Sequence, residues 1–150
     1  MRLPIQIEAI LFKRPNGEIQ YLILKTIPRR GDFWQPITGG LEEGETKREA
    51  LKREVREETG IRHIIKIIED VHQFEFQDLS IIEYLEKHGH ACKHLKEYAF
   101  GVEVSPDEKV VLDGKEHSEF KWCNLPEALR KLKWEENKEA LRRLNKILTD

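Results

Sequence analysis

Gly39-Gly40-Leu41-Glu42-Glu43-Gly44-Glu45-Thr46-Lys47-Arg48-Glu49-Ala50-Leu51-Lys52-Arg53-Glu54-Val55-Arg56-Glu57-Glu58-Thr59-Gly60-Ile61 is the stretch from which the chain is read. A glycine-rich turn is expected at Gly39-Gly40, leading into a run dense in glutamate and arginine that no proline interrupts. That run predicts a helix of about four turns over Thr46 to Thr59, with Thr46 near its N-cap and Gly60 as the residue that closes it. On a helical wheel Glu57 and Glu58 fall within a turn of Glu54 on the same side. Like charges at i,i+3 and i,i+4 destabilise an isolated helix. Ala50 lies one turn earlier on that face, and only Leu51 and Val55 offer apolar surface inward. A helix kept for packing alone is more apolar than this.

Three carboxylates on one face need a counter-charge. A hard divalent cation supplies it, and Mg²⁺ is the default where carboxylates and substrate phosphates share a site, with Mn²⁺ as the substitute. The plainer reading is a solvated charged face laced by pairs such as Arg53 with Glu57. It leaves the glycines, the stacked like charges and the poor core face unexplained together.

The spacing Gly-x5-Glu-x7-Arg-Glu-U-x-Glu-Glu-x-Gly-U, with U apolar, resembles the signature of Nudix hydrolases. Gly39, Glu45, Arg53, Glu54, Val55, Glu57, Glu58, Gly60 and Ile61 fill every fixed position. The resemblance implies an α/β/α sandwich around a mixed sheet and hydrolysis of a diphosphate linkage. It implies that Glu54, Glu57 and Glu58 bind the metal and that Arg53 orients a carboxylate by pairing with Glu45. It also implies that the carbonyl of Thr38 joins the metal shell, at a position where the family commonly has glycine. Glu54 is then the nearest candidate for the general base. Glu116 is its rival, since related enzymes acting on nucleotide-like triphosphates carry a glutamate before a late strand, with Glu119 as the fallback.

Beyond the box, the chain reads as an α/β or α+β single domain over residues 1–150. Strands are expected over residues 5–13, with Ile5, Ile7, Ala9 and Leu11 on one face, and over 21–25, 64–69, 71–76, 96–104 and 119–123. Arg14-Pro15-Asn16-Gly17 is expected to turn a hairpin. Asp78 to His88 suits either a short helix or a strand tip with a long loop. Helices are expected to open at Leu125-Pro126 and over Lys138 to Leu148.

Hydrophobic residues make up 39% and charged residues 36% of the 150, with a formal net charge of −2. No net basic field exists to hold a nucleic acid polymer. Cys92 and Cys123 are read as reduced thiols. Pro4 and Glu8 interrupt the start of the chain where a secretory signal needs unbroken apolar sequence, and no run approaches membrane-spanning length, so a cytoplasmic protein is expected.

Asp32-Phe33-Trp34-Gln35-Pro36-Ile37-Thr38-Gly39, the Glu116-His117 stretch and Trp134-Glu135-Glu136-Asn137-Lys138 resemble the dihydroneopterin triphosphate pyrophosphatase branch of the family and related dATP enzymes. Arg29 and Arg30 are placed to reach phosphates, or are solvated loop arginines. Trp34 and Trp134 either stack on a flat heterocycle or pack as core and lid. Asn137 either bonds the base or caps the last helix, and the cap is favoured. His88 to His94 is weighed as a zinc site and read as a polar loop, because structural zinc sites show wider paired spacing. The expected enzyme is a Mg²⁺-dependent monomer or homodimer. It cleaves a small-molecule phosphoanhydride, dihydroneopterin triphosphate or a (deoxy)nucleoside triphosphate such as dATP, to the monophosphate and pyrophosphate. The alternatives are a dinucleoside polyphosphate or oxidised-dNTP hydrolase, and a silent Nudix module that binds a nucleotide or a protein.

Overall fold

The computed structural model describes residues 2–89 and 94–150. A mixed sheet is covered by helices on both faces. Its centre is β1, Arg2–Lys13, which runs parallel to β6, Leu95–Glu103, over Ile5 to Phe12. The other edge of β1 is shared by two strands. Its first part pairs antiparallel with β4, Ile37–Glu42, and its last two residues, Phe12 and Lys13, pair with β2, Gln20–Thr26. The sheet therefore divides beyond β1. On the β2 side lie β3, Trp34–Gln35, and β7, His117–Cys123. β5, Lys66–Phe76, closes the far edge against β6.

Alternation along β1 fills two cores. Ile7, Ala9 and Leu11 face α1, Lys47–Thr59, and bury Ala50, Leu51 and Val55 with them. Ile10 and Phe12 face α3, Leu125–Lys131, and α4, Glu135–Thr149, against Ala128, Ala140, Leu141 and Leu144. A strand buried on both faces reads as nearly continuous apolar sequence, and Glu8 is the exception in this one. α2, Leu79–Lys87, packs Ile82 and Leu85 on Leu95, with Asp78 accepting from the amides of Ser80 and Ile81 as its N-cap. That settles the ambiguous segment as a helix. Among the described residues, no helix is long and apolar enough to cross a membrane.

α1 begins where expected. Thr46 accepts from the Glu49 amide and Glu49 returns the bond, a capping box worth about 1 kcal/mol. Gly60 ends the helix at φ 76°, a left-handed conformation that favours glycine. Burying Leu51 and Val55 adds roughly 1.5–3 kcal/mol each.

Five expectations need correction. Gly39-Gly40 is not a turn: both glycines lie in β4, opposite Ile7 and Gln6 of β1, and the chain turns later, at Glu43-Gly44. Residues 66–76 form one strand rather than two, because Asp70 takes φ 56° and makes an irregularity between Ile68 and His72 that the pairing absorbs. β7 starts at His117, two residues early, and α4 starts at Glu135, three residues early. Asn137 is not the cap of α4. Trp134 holds that position without a side-chain cap bond, and Asn137 lies inside the first turn, buried.

Candidate active site

The division of the sheet sets the site. At Pro36 the chain leaves its pairing with β2 and joins β1. Proline has no N–H to give to a ladder, so a change of partner is compatible with it. Thr38 and Gly39 thus lie on one arm of the sheet, while Gln35 and His117 lie on the other. α1 lies over the α1-facing core next to this split.

Gly39 explains how α1 approaches. A Cβ at Gly39 would stand 2.1 Å from Cδ of Glu54 and 2.3 Å from its Oε1. The glycine is needed as a seat for the Glu54 side chain, not as a hinge. Arg53 holds the same carboxylate from the side, with Nη1 donating to Glu54 Oε1 at 2.7 Å. Its Nε and Nη2 donate to the two oxygens of Glu45 at 2.7 and 3.1 Å, and Nη2 also donates to the Gly40 carbonyl at 2.9 Å. One guanidinium therefore ties the turn after β4 to α1 through a bidentate pair. Hydrogen bonding to Arg53 holds the Glu45 carboxyl below its usual range. Burial pushes Glu54 up to about 7, against the opposing effect of Arg53. Glu57 remains outside, exposed, at 3.4 Å from Arg53 Nη1.

Glu58 turns the other way. Its Oε2 lies 2.8 Å from His117 Nδ1, and both side chains are almost fully buried, at 4% and 2% exposure. His117 Nε2 lies 3.0 Å from the Gln35 amide nitrogen. With Nδ1 protonated and donating to Glu58, Nε2 accepts from Gln35, so the two contacts select one tautomer. Glu116 stands beside Glu58, and ligand atoms of Glu58, Glu116 and His117 lie within 4.8 Å of one another. Burial, then the contact with Glu58, raises the Glu116 carboxyl. Burial opposes ionisation of Glu58 as well, but the bonds to His117 and Glu116 outweigh it and lower the carboxyl. Two adjacent acids with opposed shifts form a donor set suited to a hard cation. Both His117 nitrogens are engaged, so the oxygens of Glu58 and Glu116 are the better ligands of the three.

The remaining residues divide. Arg30 lies 3.4 Å from Glu116, in a 3-10 turn over Pro28–Arg30, while Arg29 is exposed and makes no ion pair among the described residues. Trp34 is half-buried against the α3 and α4 core, with Lys131 Nζ 5.5 Å from its ring centre. Trp134 is 50% exposed and meets Phe33 edge-on at 5.7 Å. Asn137 donates through Nδ2 to Glu8 Oε1. The Thr38 carbonyl belongs to the arm that carries Gly39, across from Glu8. Glu119 is exposed and pairs with Lys25 at 3.4 Å. Part of the His88 to His94 stretch lies outside the described residues.

His117 and Gln35 were not legible as site residues. On a regular strand, adjacent Glu116 and His117 point to opposite faces, which argues against their sharing a partner. Glu116, however, precedes β7, in the bend of residues 114–116, so strand alternation does not govern it, and both side chains reach Glu58.

Comparison with known proteins adds independent findings. A family model described as NUDIX domain matches residues 6–144. An octanoyltransferase of Myxococcus xanthus is 33% identical over 141 residues, 93% of this chain; the match spans only 36% of that protein's length. The dihydroneopterin triphosphate diphosphatase of Escherichia coli K12 is 27% identical over 141 residues, 92% of this chain and 89% of that protein. The crystal structure of a NUDIX hydrolase from Listeria monocytogenes superposes with a TM-score of 0.80 at 28% identity, over 97% of this chain and 94% of the other.

Proposed function

The chain belongs to the NUDIX family of phosphoanhydride hydrolases, and from that premise we propose that it is a divalent-metal-dependent pyrophosphohydrolase acting on a triphosphate carried by a flat heterocycle. The 150 residues form one such domain. Dihydroneopterin triphosphate and the (deoxy)nucleoside triphosphates are the substrate class, with monophosphate and pyrophosphate as products. The observation that carries the reading is the pair of adjacent carboxyls, buried Glu58 and half-buried Glu116, beside Arg53-bound Glu54. Two such acids repel unless a cation or a shared proton stands between them.

Each residue then has a stated task. Glu58 and Glu116, with Glu54, Glu57 and the Thr38 carbonyl at the margin, would hold Mg²⁺ or Mn²⁺. The cation would neutralise phosphate oxygens and lower the pKa of the attacking water. Glu54, with a carboxyl near 7, is poised to take a proton at neutral pH. Arg53 keeps it in place, and His117 orients Glu58. Arg30 and Arg29 face the leaving phosphates once Arg30 releases Glu116. Trp34, Trp134 and Asn137 line the end that receives the ring.

The test is pyrophosphate and phosphate release over a panel of pterin, nucleoside and dinucleoside substrates, with and without chelator. Turnover of triphosphates that stops in excess chelator is expected. Undiminished turnover in chelator would sink the metal reading. Fastest turnover of a dinucleoside tetraphosphate would sink the substrate class.

A further inference from the structure

The outer side of α1 carries charge of the opposite sign. Arg48, Lys52 and Arg56 recur at every fourth residue and form one stripe along the helix, about 6 Å per step. On the helical wheel the stripe is centred about 140° from Glu54 and Glu58, which are buried on the other side. After Gly60 closes the helix, residues 61–67 run beside the stripe. Between the two lies a groove of about 480 Å³. To the three cations of α1 this segment adds Arg62 and Lys66, all five exposed. The apolar part of the lining is buried Ile61 with half-buried Ile64 and Ile67.

Among the described residues no aspartate or glutamate lines the groove, although the whole chain has a net charge of −2. The nearby acids are engaged elsewhere or at one end. Glu69 pairs with Arg48 at 3.0 Å. Glu49 is held in the capping box by the Thr46 amide. Glu103, opposite Lys66 on β6, pairs with Arg14 at 3.9 Å. Lys52, Arg56, Arg62 and Lys66 make no ion pair among the described residues. Like charges four residues apart weaken a helix, so the stripe costs α1 stability until an anion spans it.

Shape and lining decide which anion fits. The volume is that of a small-molecule site. Arg48 to Arg56 covers roughly 12 Å of helix, so one short phosphate chain can touch all three cations. Arginine forks take phosphate oxygens two at a time, and lysine adds a point charge. A single-stranded nucleic acid needs aromatic faces for its bases, and among the described residues none lines the groove. A planar membrane surface does not enter a concave groove. We propose that this groove is a second anion site, which takes a short linear polyphosphate, free or as the phosphate tail of a nucleotide. The body of α1 separates it from the carboxylates, and it does not depend on what they hydrolyse.

Inorganic tripolyphosphate in excess chelator is the probe, because without a metal ion the carboxylates on the other side of α1 repel it. Titration calorimetry of the full chain at low salt is expected to show binding at one site. Lys52→Gln combined with Arg56→Gln is expected to weaken that binding at least about tenfold. The melting temperature without ligand is expected to stay level or rise slightly, since two exposed, unpaired like charges are removed. Lys87→Gln with Lys146→Gln removes the same charge from exposed positions on α2 and α4 and is expected to keep the parent affinity. Equal losses in the two double variants would show attraction by net charge alone and overturn the proposal. No binding at millimolar tripolyphosphate also overturns it. So does a single-stranded RNA oligonucleotide that binds tighter than tripolyphosphate and depends on Lys52 and Arg56, which gives the groove to a polymer. ATP in chelator separates the two sources. Affinity equal to that of tripolyphosphate assigns the contact to phosphates alone, whereas tighter binding that the Lys52 and Arg56 variant abolishes assigns it to a nucleotide whose base rests on the isoleucines.

Discussion

Gly39→Ala adds one methyl group and should disable the site. Gly39 does not have the positive φ at which an alanine would be strained, so the effect is one of contact. The new Cβ would meet Glu54 Cδ at 2.1 Å, and ordinary contact begins at 3.4 Å, so the carboxyl must retreat by about 1.3 Å. Glu54 is 8% exposed and bound to Arg53 at 2.7 Å, so it cannot swing away freely. Losing that charge-assisted bond costs about 1.5–3 kcal/mol, and overpacking alone costs about 1–3 kcal/mol. Retreat of the carboxyl relieves the overpacking, so one cost replaces the other, and a loss of about 2 kcal/mol lowers the melting temperature by roughly 4–8 °C in a chain of this size. Misplacing a reacting group by about 1 Å lowers kcat roughly a hundredfold. Gly44→Ala is the control. It has φ +86° and nothing within 4 Å of the added Cβ, so it carries backbone strain without touching Glu54. Both variants are assayed by differential scanning calorimetry and by pyrophosphate release at saturating Mg²⁺. A Gly39→Ala rate within about threefold of the parent, less than 1 kcal/mol in the barrier, would refute the idea that the glycine seats Glu54.

Glu57→Gln should lower kcat at least about a hundredfold through lost charge at the metal, while changing stability by no more than about 0.5 kcal/mol, since its side chain is 51% exposed; equal rates in variant and parent would remove Glu57 from the site. Trp134→Ala and Trp34→Ala should each raise KM for flat-ring triphosphates about tenfold, the order of one lost stacking contact. An unchanged KM in both would return the rings to packing. Without added metal, stability should fall as pH rises from about 4.5 to 8. Burial raises Glu97 from the ordinary 4.5 to about 8, so between those values the folded chain holds a proton that the unfolded chain has lost. Glu97→Gln should flatten the melting temperature over that window, and a variant with the same pH slope as the parent would show that other groups set it.

The local features were legible because they depend on near neighbours in the chain. The cap at Thr46, the close at Gly60 and the placement of Glu54, Glu57 and Glu58 on one side of the helix follow from helical period and end chemistry alone. Arg53 pairing with Glu45 is what the resemblance to the Nudix signature implies, and the two side chains lie 2.7 Å apart. The paired glycines were misread as a turn because composition cannot distinguish a glycine needed for positive φ from one needed for close approach. Only the packing of Glu54 onto β4 makes that distinction. In the same way, three carboxylates on one face of a wheel separate once the fold surrounds them. Glu54 is taken by Arg53, Glu58 by His117, and Glu57 is left outside.

What the sequence determined by itself was the helix, its caps and the carboxylates it carries, since a period of 3.6 residues and the needs of unpaired amides act over a few residues. Only the tertiary structure decided which groups meet them. Glu58 and His117 are 59 residues apart, and Glu8 and Asn137 are 129 apart. Those contacts depend on strand register, on the division of the sheet at β1 and on a slip between β2 and β7. A shift of one residue in register turns a side chain to the other face, and the register is set by the packing of the whole sheet rather than by any one strand.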